Sequence, residues 1–226
     1  MQNPERGDFI METLDTIRTR KSIRRFNPAP VPEEDIATML EAAIMAPSGA
    51  NRQPWRFIVV KSEQRKREMT ECIKKSCLEL ESLLRGVVEN PEETAEALKK
   101  RFYLVSLFFG TAPVVFVVLM EREDIPLLRC YTNHGMDEYE AFAQFGYVNI
   151  LSVSAAIENL LLAAHDLGYG ACWMNIPFMA KDSLETLFDI EPPWELLAMI
   201  PVGIPAHNPQ KPPRKKVEDV TLVIDD

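Results

Sequence analysis

Arg18, Arg20, Lys21, Arg24 and Arg25 crowd together near one end of the chain, and Lys211, Arg214, Lys215 and Lys216 near the other. The 226 residues carry a formal net charge of -9, so both clusters run against the composition. Like charges repel at short range unless an anion relieves them, and solvation alone does not require such crowding. Ser22, inside the first cluster, adds a hydroxyl donor of the kind that completes a phosphate site. The chemistry these residues suit is the joint grip of one small phosphorylated ligand by both ends of the chain. Nucleic acid is a poor fit, because its non-specific binding needs many phosphate contacts and these clusters are short.

Other residue types with catalytic potential do not form recognisable constellations. His134, His165 and His207 are scattered, with no HExxH and no carboxylate at metal-ligand spacing, so no metal site is expected. His165, at a helix end among apolar residues, reads as structural rather than as a base. Gly168-Tyr169-Gly170 lacks the third glycine of a dinucleotide fingerprint, and neither a P-loop nor a GxSxG elbow occurs. Cys72, Cys77, Cys130 and Cys172 form no CxxC pair, which fits small half-buried thiols in a reduced, cytoplasmic setting. The opening MQNPERGDF has no apolar stretch behind a basic start, so no signal peptide is expected. The apolar run from Leu104 to Met120 is interrupted by Gly110-Thr111-Ala112-Pro113, so it reads as a helix end, a turn and a buried strand, not a membrane span.

The elements that must position these residues follow from pattern and punctuation. Thr13–Arg20 reads as a short helix leading into an extended stretch. Pro28, Pro30 and Pro32 keep the chain extended until Glu33, Glu34 and Asp35 open a helix, which carries Ile36, Met39, Leu40, Ala43 and Ile44 on one face. Phe57–Val60 is expected as a strand, Glu63–Leu84 as one charged helix, Arg85–Glu93 as a loop and Thr94–Phe109 as a helix. Val114–Leu119 is a strand rich in β-branched residues. Gly146–Leu167 reads as a central buried helix closed by Gly168. Tyr169–Met174 and Leu196–Val202 read as further strands. Connections too uneven for regular βαβ winding make this a single α+β domain with a helix-flanked sheet. The tail beyond Gly203 carries Pro205, Pro209, Pro212 and Pro213 and is expected to be extended, wrapping another surface such as a second subunit.

Three blocks resemble the FMN-dependent nitroreductase family. Arg20-Lys21-Ser22-Ile23-Arg24-Arg25-Phe26 is similar to its R-R-S-x-R-x-F opening. The stretch from Ala46 through Pro47-Ser48-Gly49-Ala50-Asn51 to Gln53-Pro54-Trp55-Arg56-Phe57 is similar to A-P-S-x-x-N-x-Q-P-W-x-F. The Pro201-Val202-Gly203-Ile204-Pro205 turn, followed by Pro213-Arg214-Lys215-Lys216, completes the set in order and spacing. The resemblance implies a nitroreductase-like α+β fold with a mostly antiparallel sheet flanked by helices. It further implies a homodimer that exchanges its C-terminal extension (204–226), with FMN at the subunit interface and a variable helical cover over about residues 70–110.

By the same resemblance, Arg20, Lys21, Ser22 and Arg214, with Lys216, hold the FMN phosphate and ribityl chain. Arg24 stands at the flavin N1 and O2 edge, where a fixed positive charge stabilises the anionic reduced ring. Pro47, Ser48, Gly49 and Asn51 lie against the flavin, although Asn51 serves equally well as a turn cap. Trp173, Met174 and Asn175 run alongside the ring, Asn175 being either an N5 donor or a turn residue before Pro177. The Ala50 amide faces the acceptor oxygen, and Trp55 belongs to the core. The implied activity is hydride transfer from NADH or NADPH through flavin N5 to a small electron-poor acceptor, a nitroaromatic or quinone, in two half-reactions. No catalytic side chain is required, because the cofactor carries the chemistry. Pro47-Ser48-Gly49-Ala50 and Asn149-x-x-Ser152-Val153-Ser154 resemble more closely the branch containing iodotyrosine deiodinases and the flavin-destroying enzyme of cobalamin lower-ligand synthesis. That branch adds reductive dehalogenation and oxygen-dependent flavin fragmentation as alternatives, beside a flavin-binding protein without turnover. Residues 72–109 hold one tyrosine, Tyr103, and no Glu-Tyr-Lys order of the kind a deiodinase lid supplies.

Overall fold

A computed structural model describes residues 12–76, 80–122, 126–137, 140, 147–175 and 180–225. The sheet is built from β1 (Trp55–Val60), β2 (Val114–Glu121), β3 (Gly170–Ala171), β4 (Met174–Asn175) and β5 (Trp194–Gly203). Its order is β1-β2-β5-β3, with β4 also on β5, and every pairing among these strands is antiparallel. β2 and β5 are buried along most of their length, which explains why β2 reads as an unbroken apolar run instead of an alternation.

Period-two geometry sends alternate β2 side chains to opposite faces. Phe116, Val118 and Met120 point toward α2 (Glu33–Ile44) and α7 (Val148–Asp166), where Met39, Ile157 and Leu160 are wholly buried. Val115, Val117 and Leu119 point toward α3 (Glu63–Ser76) and α8 (Lys181–Leu187), meeting Met69, Ile73 and Leu184. A register shift opposite Val118 and Leu119 lets Leu197 drop out of the β2 pairing, so Leu196 and Ala198 serve opposite cores. α7 is apolar and long enough to cross a membrane, with a hydropathy of 1.4, but eight of its residues are buried in this core. Its end is closed by Gly168 at φ +84°, with the Tyr169 N–H reaching back to the Ala164 carbonyl.

The expected α+β architecture is the one observed, with local differences. The charged stretch Glu63–Leu84 is two helices, α3 and α4 (Leu80–Leu84). α5 (Pro91–Ser106) starts three residues earlier than expected because Pro91 supplies the first helical position after Asn90. It stops at Ser106, and a 3₁₀ turn, Phe108–Thr111, follows. Tyr169–Met174 is interrupted as a strand: one register with β5 runs throughout and the Cys172 N–H donates to the Pro201 carbonyl at 3.3 Å, but Pro201 has no N–H to return, which leaves β3 and β4 as separate short strands. α1 (Thr13–Thr19) matches expectation, whereas α6 (Pro126–Asn133) and α8 were not anticipated.

Candidate functional site

The first basic cluster leaves α1 as an extended segment laced between β3 and the tail. Ser22 bridges Ala171, the Ile23 N–H donates to the Ala171 carbonyl at 2.9 Å, and Phe26 bridges Pro205. Asn27 and Ala206 N–H groups close the seam on Ile204 and Arg25 carbonyls, each at 2.9 Å. Ile23 and Phe26 are the buried pins. Gly170 is required above Ile23, since a Cβ there would stand 2.5 Å from Ile23 Cγ1.

The tail returns to the same place in the same chain. Lys21 Nζ donates to Asn208 Oδ1, and Lys211 Nζ donates to the Ile17 and Arg18 carbonyls at the C-terminal end of α1. Partial desolvation, and then the charges of Arg214, Arg20 and Lys21, push the Lys211 ammonium below its ordinary range. Arg20 is the more sheltered arginine, its Nε 3.4 Å from a Glu158 carboxylate oxygen on α7. The two terminal clusters therefore converge within one subunit. Lys216 lies outside this group, exposed, in a turn where its N–H meets the Asp219 carboxylate at 3.3 Å.

Two groups that sequence reasoning passed over sit against the cationic cluster. The Thr19 hydroxyl lies 2.5 Å from the Asp15 carbonyl and 2.9 Å from His165 Nε2. Burial first, then Arg20, Lys21 and Lys211, hold the His165 pKa below 6.5, against the opposing pull of Asp166. Cys172, in the gap between β3 and β4, is buried, and its thiol donates to the Trp173 carbonyl at 3.7 Å. Desolvation raises its thiol pKa, and the nearby Arg24 and Arg20 charges partly oppose this. The Arg24 guanidinium also lies 5.9 Å from the centre of the Phe108 ring.

Pro47–Asn51 is held elsewhere on α7. Ser152 Oγ accepts from the Gly49 N–H at 3.3 Å and donates to the Val148 carbonyl. Asn51 and Arg52 N–H groups bond back to Ser48 and Gly49 carbonyls, and Ser48 Oγ accepts from the Gln53 N–H at 3.0 Å. Ala50, Asn51 and Gln53 all take positive φ, 51°, 55° and 53°, an uncommon run for non-glycine residues and a sign of a backbone held for a purpose. Pro47, Ala50 and Asn51 are exposed. Trp55 is core, as expected. Trp173 is half-buried and Asn175 exposed, but the Met174 side chain is buried in the sheet's second core, so what Met174 offers a ligand is backbone.

The sequence model described as "Nitroreductase family" matches residues 17–204. The chain belongs to the nitroreductase family. A candidate NADH dehydrogenase/NAD(P)H nitroreductase of Methanothermobacter thermautotrophicus is 32% identical over 202 residues, 88% of this chain and 80% of that protein. The iodotyrosine deiodinase of Thermotoga neapolitana is 29% identical, over 90% and 94% of the two chains. Among solved structures, a BluB-like flavoprotein from Clostridium difficile 630 superposes with a TM-score of 0.84 at 31% identity, covering 95% of this chain and all of that one. Oxidised iodotyrosine deiodinase bound to FMN and 3-iodo-L-tyrosine superposes with a TM-score of 0.66 at 27% identity, covering 91% and 96%. The nitroreductase-like α+β fold expected from the motifs is the one observed, and the relatives include iodotyrosine deiodinases and a BluB-like flavoprotein, the branch to which the motifs pointed.

Proposed function

We propose that this nitroreductase-family protein binds FMN and moves a hydride from NADH or NADPH to a small electron-poor acceptor in two half-reactions. The observation that carries this reading is the meeting of Arg20, Lys21 and Ser22 with Lys211 and Arg214 in one subunit, a donor set suited to a phosphate monoester. When bound, FMN supplies the hydride chemistry at N5. The protein supplies the rest: Arg20, Ser22 and Arg214 hold the phosphate, and Arg24 offers a fixed positive charge to the N1 and O2 edge. Asn175 and the backbone of Trp173 and Met174 lie along the ring. Lys216 serves the phosphate only through a change in the turn that ends on Asp219.

Geometry along α7 supports a homodimeric site. Gly49 contacts α7 near Val148 and Ser152, whereas the cationic cluster contacts it between Glu158 and Asp166. Their centres lie about a dozen helical residues apart, about 18 Å at 1.5 Å per residue, and their nearest members, Ser152 and Glu158, about 9 Å apart. One subunit thus presents the phosphate cluster and the Pro47–Asn51 loop at different places, and a two-fold partner brings one loop to the other cluster. α1, α2 and α7 expose Leu14, Ile17, Ile44, Met45, Val148 and Leu151, the sort of apolar area that marks an interface. The tail exposes Leu222, Val223 and Ile224, and β1 pairs only with β2 among the described residues, which supports tail exchange. In that dimer Ala50 faces the acceptor, and α4 and α5 form its cover.

The test begins with the purified protein, which is expected to be yellow with one FMN per subunit. It is expected to oxidise NADH or NADPH when a quinone or nitroaromatic is added. Colourless protein that takes up no FMN overturns the reading. The likeness to the BluB-like flavoprotein favours one second reading, in which oxygen is the acceptor and reduced FMN itself is consumed. Release of dimethylbenzimidazole from added reduced FMN distinguishes it.

A further inference from the structure

Beyond these assignments stands the ring of Phe108, to which none of them gives a role. Phe108 opens the 3₁₀ turn immediately after α5. That turn is anchored: Phe109 is fully buried, the Gly110 N–H returns to the Leu107 carbonyl, and Thr111 Oγ1 donates to the Phe108 carbonyl at 2.8 Å. Phe108 itself is half-buried and packs against the core beneath β2 and β5. Its ring is therefore fixed by the body of the protein, at the point where the α4–α5 segment rejoins it.

The Arg24 side chain is exposed on an extended segment, and such a guanidinium samples many rotamers unless something selects one. Its centre lies 5.9 Å from the Phe108 centroid, within the range over which a cation is drawn to an aromatic face. Its segment runs beside β3 through the Ser22 bridge and the Ile23 N–H bond to the Ala171 carbonyl, so Arg24 links a ring at the root of α5 to the sheet edge along which the flavin ring is expected.

We infer that Phe108 is the positioning residue that aims Arg24 at the flavin, so that the reduction potential depends on the junction between the α4–α5 segment and the core. The inference rests on the FMN reading above. A charge held near N1 and O2 favours the anionic reduced ring more than a charge that wanders, because no reorganisation is needed when the negative charge arrives. Any movement of α5 that shifts the Phe108 ring changes that preference. The cover and the cofactor's electron affinity are coupled through one side-chain contact.

The experiment uses the FMN-loaded protein and reads the two-electron midpoint potential by dye equilibration, together with the Kd for oxidised FMN. Phe108→Leu keeps an apolar filler and removes the aromatic face. The expected result is an unchanged Kd for oxidised FMN and a three- to tenfold loss in preference for the reduced form. Tenfold is about 30 mV for a two-electron couple. Phe108→Tyr restores the face and the wild-type potential. Arg24→Gln lowers the potential as well, and Phe108→Leu adds nothing in that background, as a shared interaction demands. A wild-type potential in Phe108→Leu, or a Phe108→Leu shift that persists without Arg24, overturns the inference. If Phe108→Leu does not yield folded protein, an Arg24→Gln potential equal to wild type overturns it alone. Failure of wild-type protein to bind FMN is a different result, which removes the FMN reading first.

Discussion

The residues around the cationic cluster divide into those free to meet an anion and those already spent on the fold. Lys211 caps the end of α1 and Lys21 ties to Asn208, whereas Arg20 stands beside the sheet edge with Glu158 as its ion-pair partner, next to Ser22. A hydrogen bond to a charged group contributes about 1.5–3 kcal/mol, so Arg20→Ala is expected to weaken FMN binding roughly tenfold to 150-fold, measured by quenching of flavin fluorescence. Ser22→Ala is expected to lie at the lower end. His165 supplies a pH signature. The folded protein holds its pKa below 6.5, so the unfolded chain takes up a proton first as pH falls. Stability of cofactor-free protein is therefore full above about pH 6.5 and declines below it. In thermal melts between pH 7.5 and 5.5, His165→Gln is expected to flatten that decline. Bound phosphate, being anionic, favours imidazolium and opposes the same decline in wild-type protein.

At the scale of elements, the extended segment, β3 and the Ser152 ledge on α7 are what turn residue types into a site. Gly170→Ala is the sharpest test of this, because its new Cβ meets Ile23 at 2.5 Å from Cγ1 and 2.7 Å from Cβ, neither of which is a yielding chain end. Overpacking of this kind costs about 1–3 kcal/mol, read as a drop in the urea midpoint at constant m. FMN affinity is expected to fall with it, since Ser22 moves with Ile23. Much of this level was legible beforehand. The period of α2, the β-branched run of β2 and the apolar breadth of α7 each named an element, because burial writes itself as pattern. The break between β3 and β4 was not legible, since Tyr169–Met174 is continuously apolar and a lapse in pairing comes from β5, a distant partner. α8 was missed because its seven residues are mostly polar and bury only Leu184. The roles of Lys211, Phe108 and Cys172 came from contacts between segments far apart in the chain, which no local spacing records.

For the whole molecule, the meeting of the two basic clusters was readable from charge alone, because their crowding ran against an acidic chain. What charge did not reveal was that much of the second cluster serves α1 and that Lys216 stands outside. Assembly is the remaining question at this scale. The stretch from Val217 exposes Val217, Val220, Leu222, Val223 and Ile224, each more than 60% accessible in the lone subunit. A chain ending at Lys216 keeps every described cluster contact but loses this apolar strip. Its expected behaviour is dissociation to monomer in sedimentation velocity at micromolar concentration, with weakened FMN binding, while full-length protein sediments as a dimer. A truncated chain that remains a tight dimer counts against tail exchange, leaving the α1, α2 and α7 face as the sole interface.

The capping of α1 by Lys211 has a consequence for biosynthesis. Translation delivers Arg20 and Ser22 early and their companions almost last, so a nascent chain holds half a phosphate grip for nearly its entire synthesis. On the FMN reading, loading follows release from the ribosome, and a premature stop ahead of Lys211 is expected to yield a polypeptide that does not take up the cofactor.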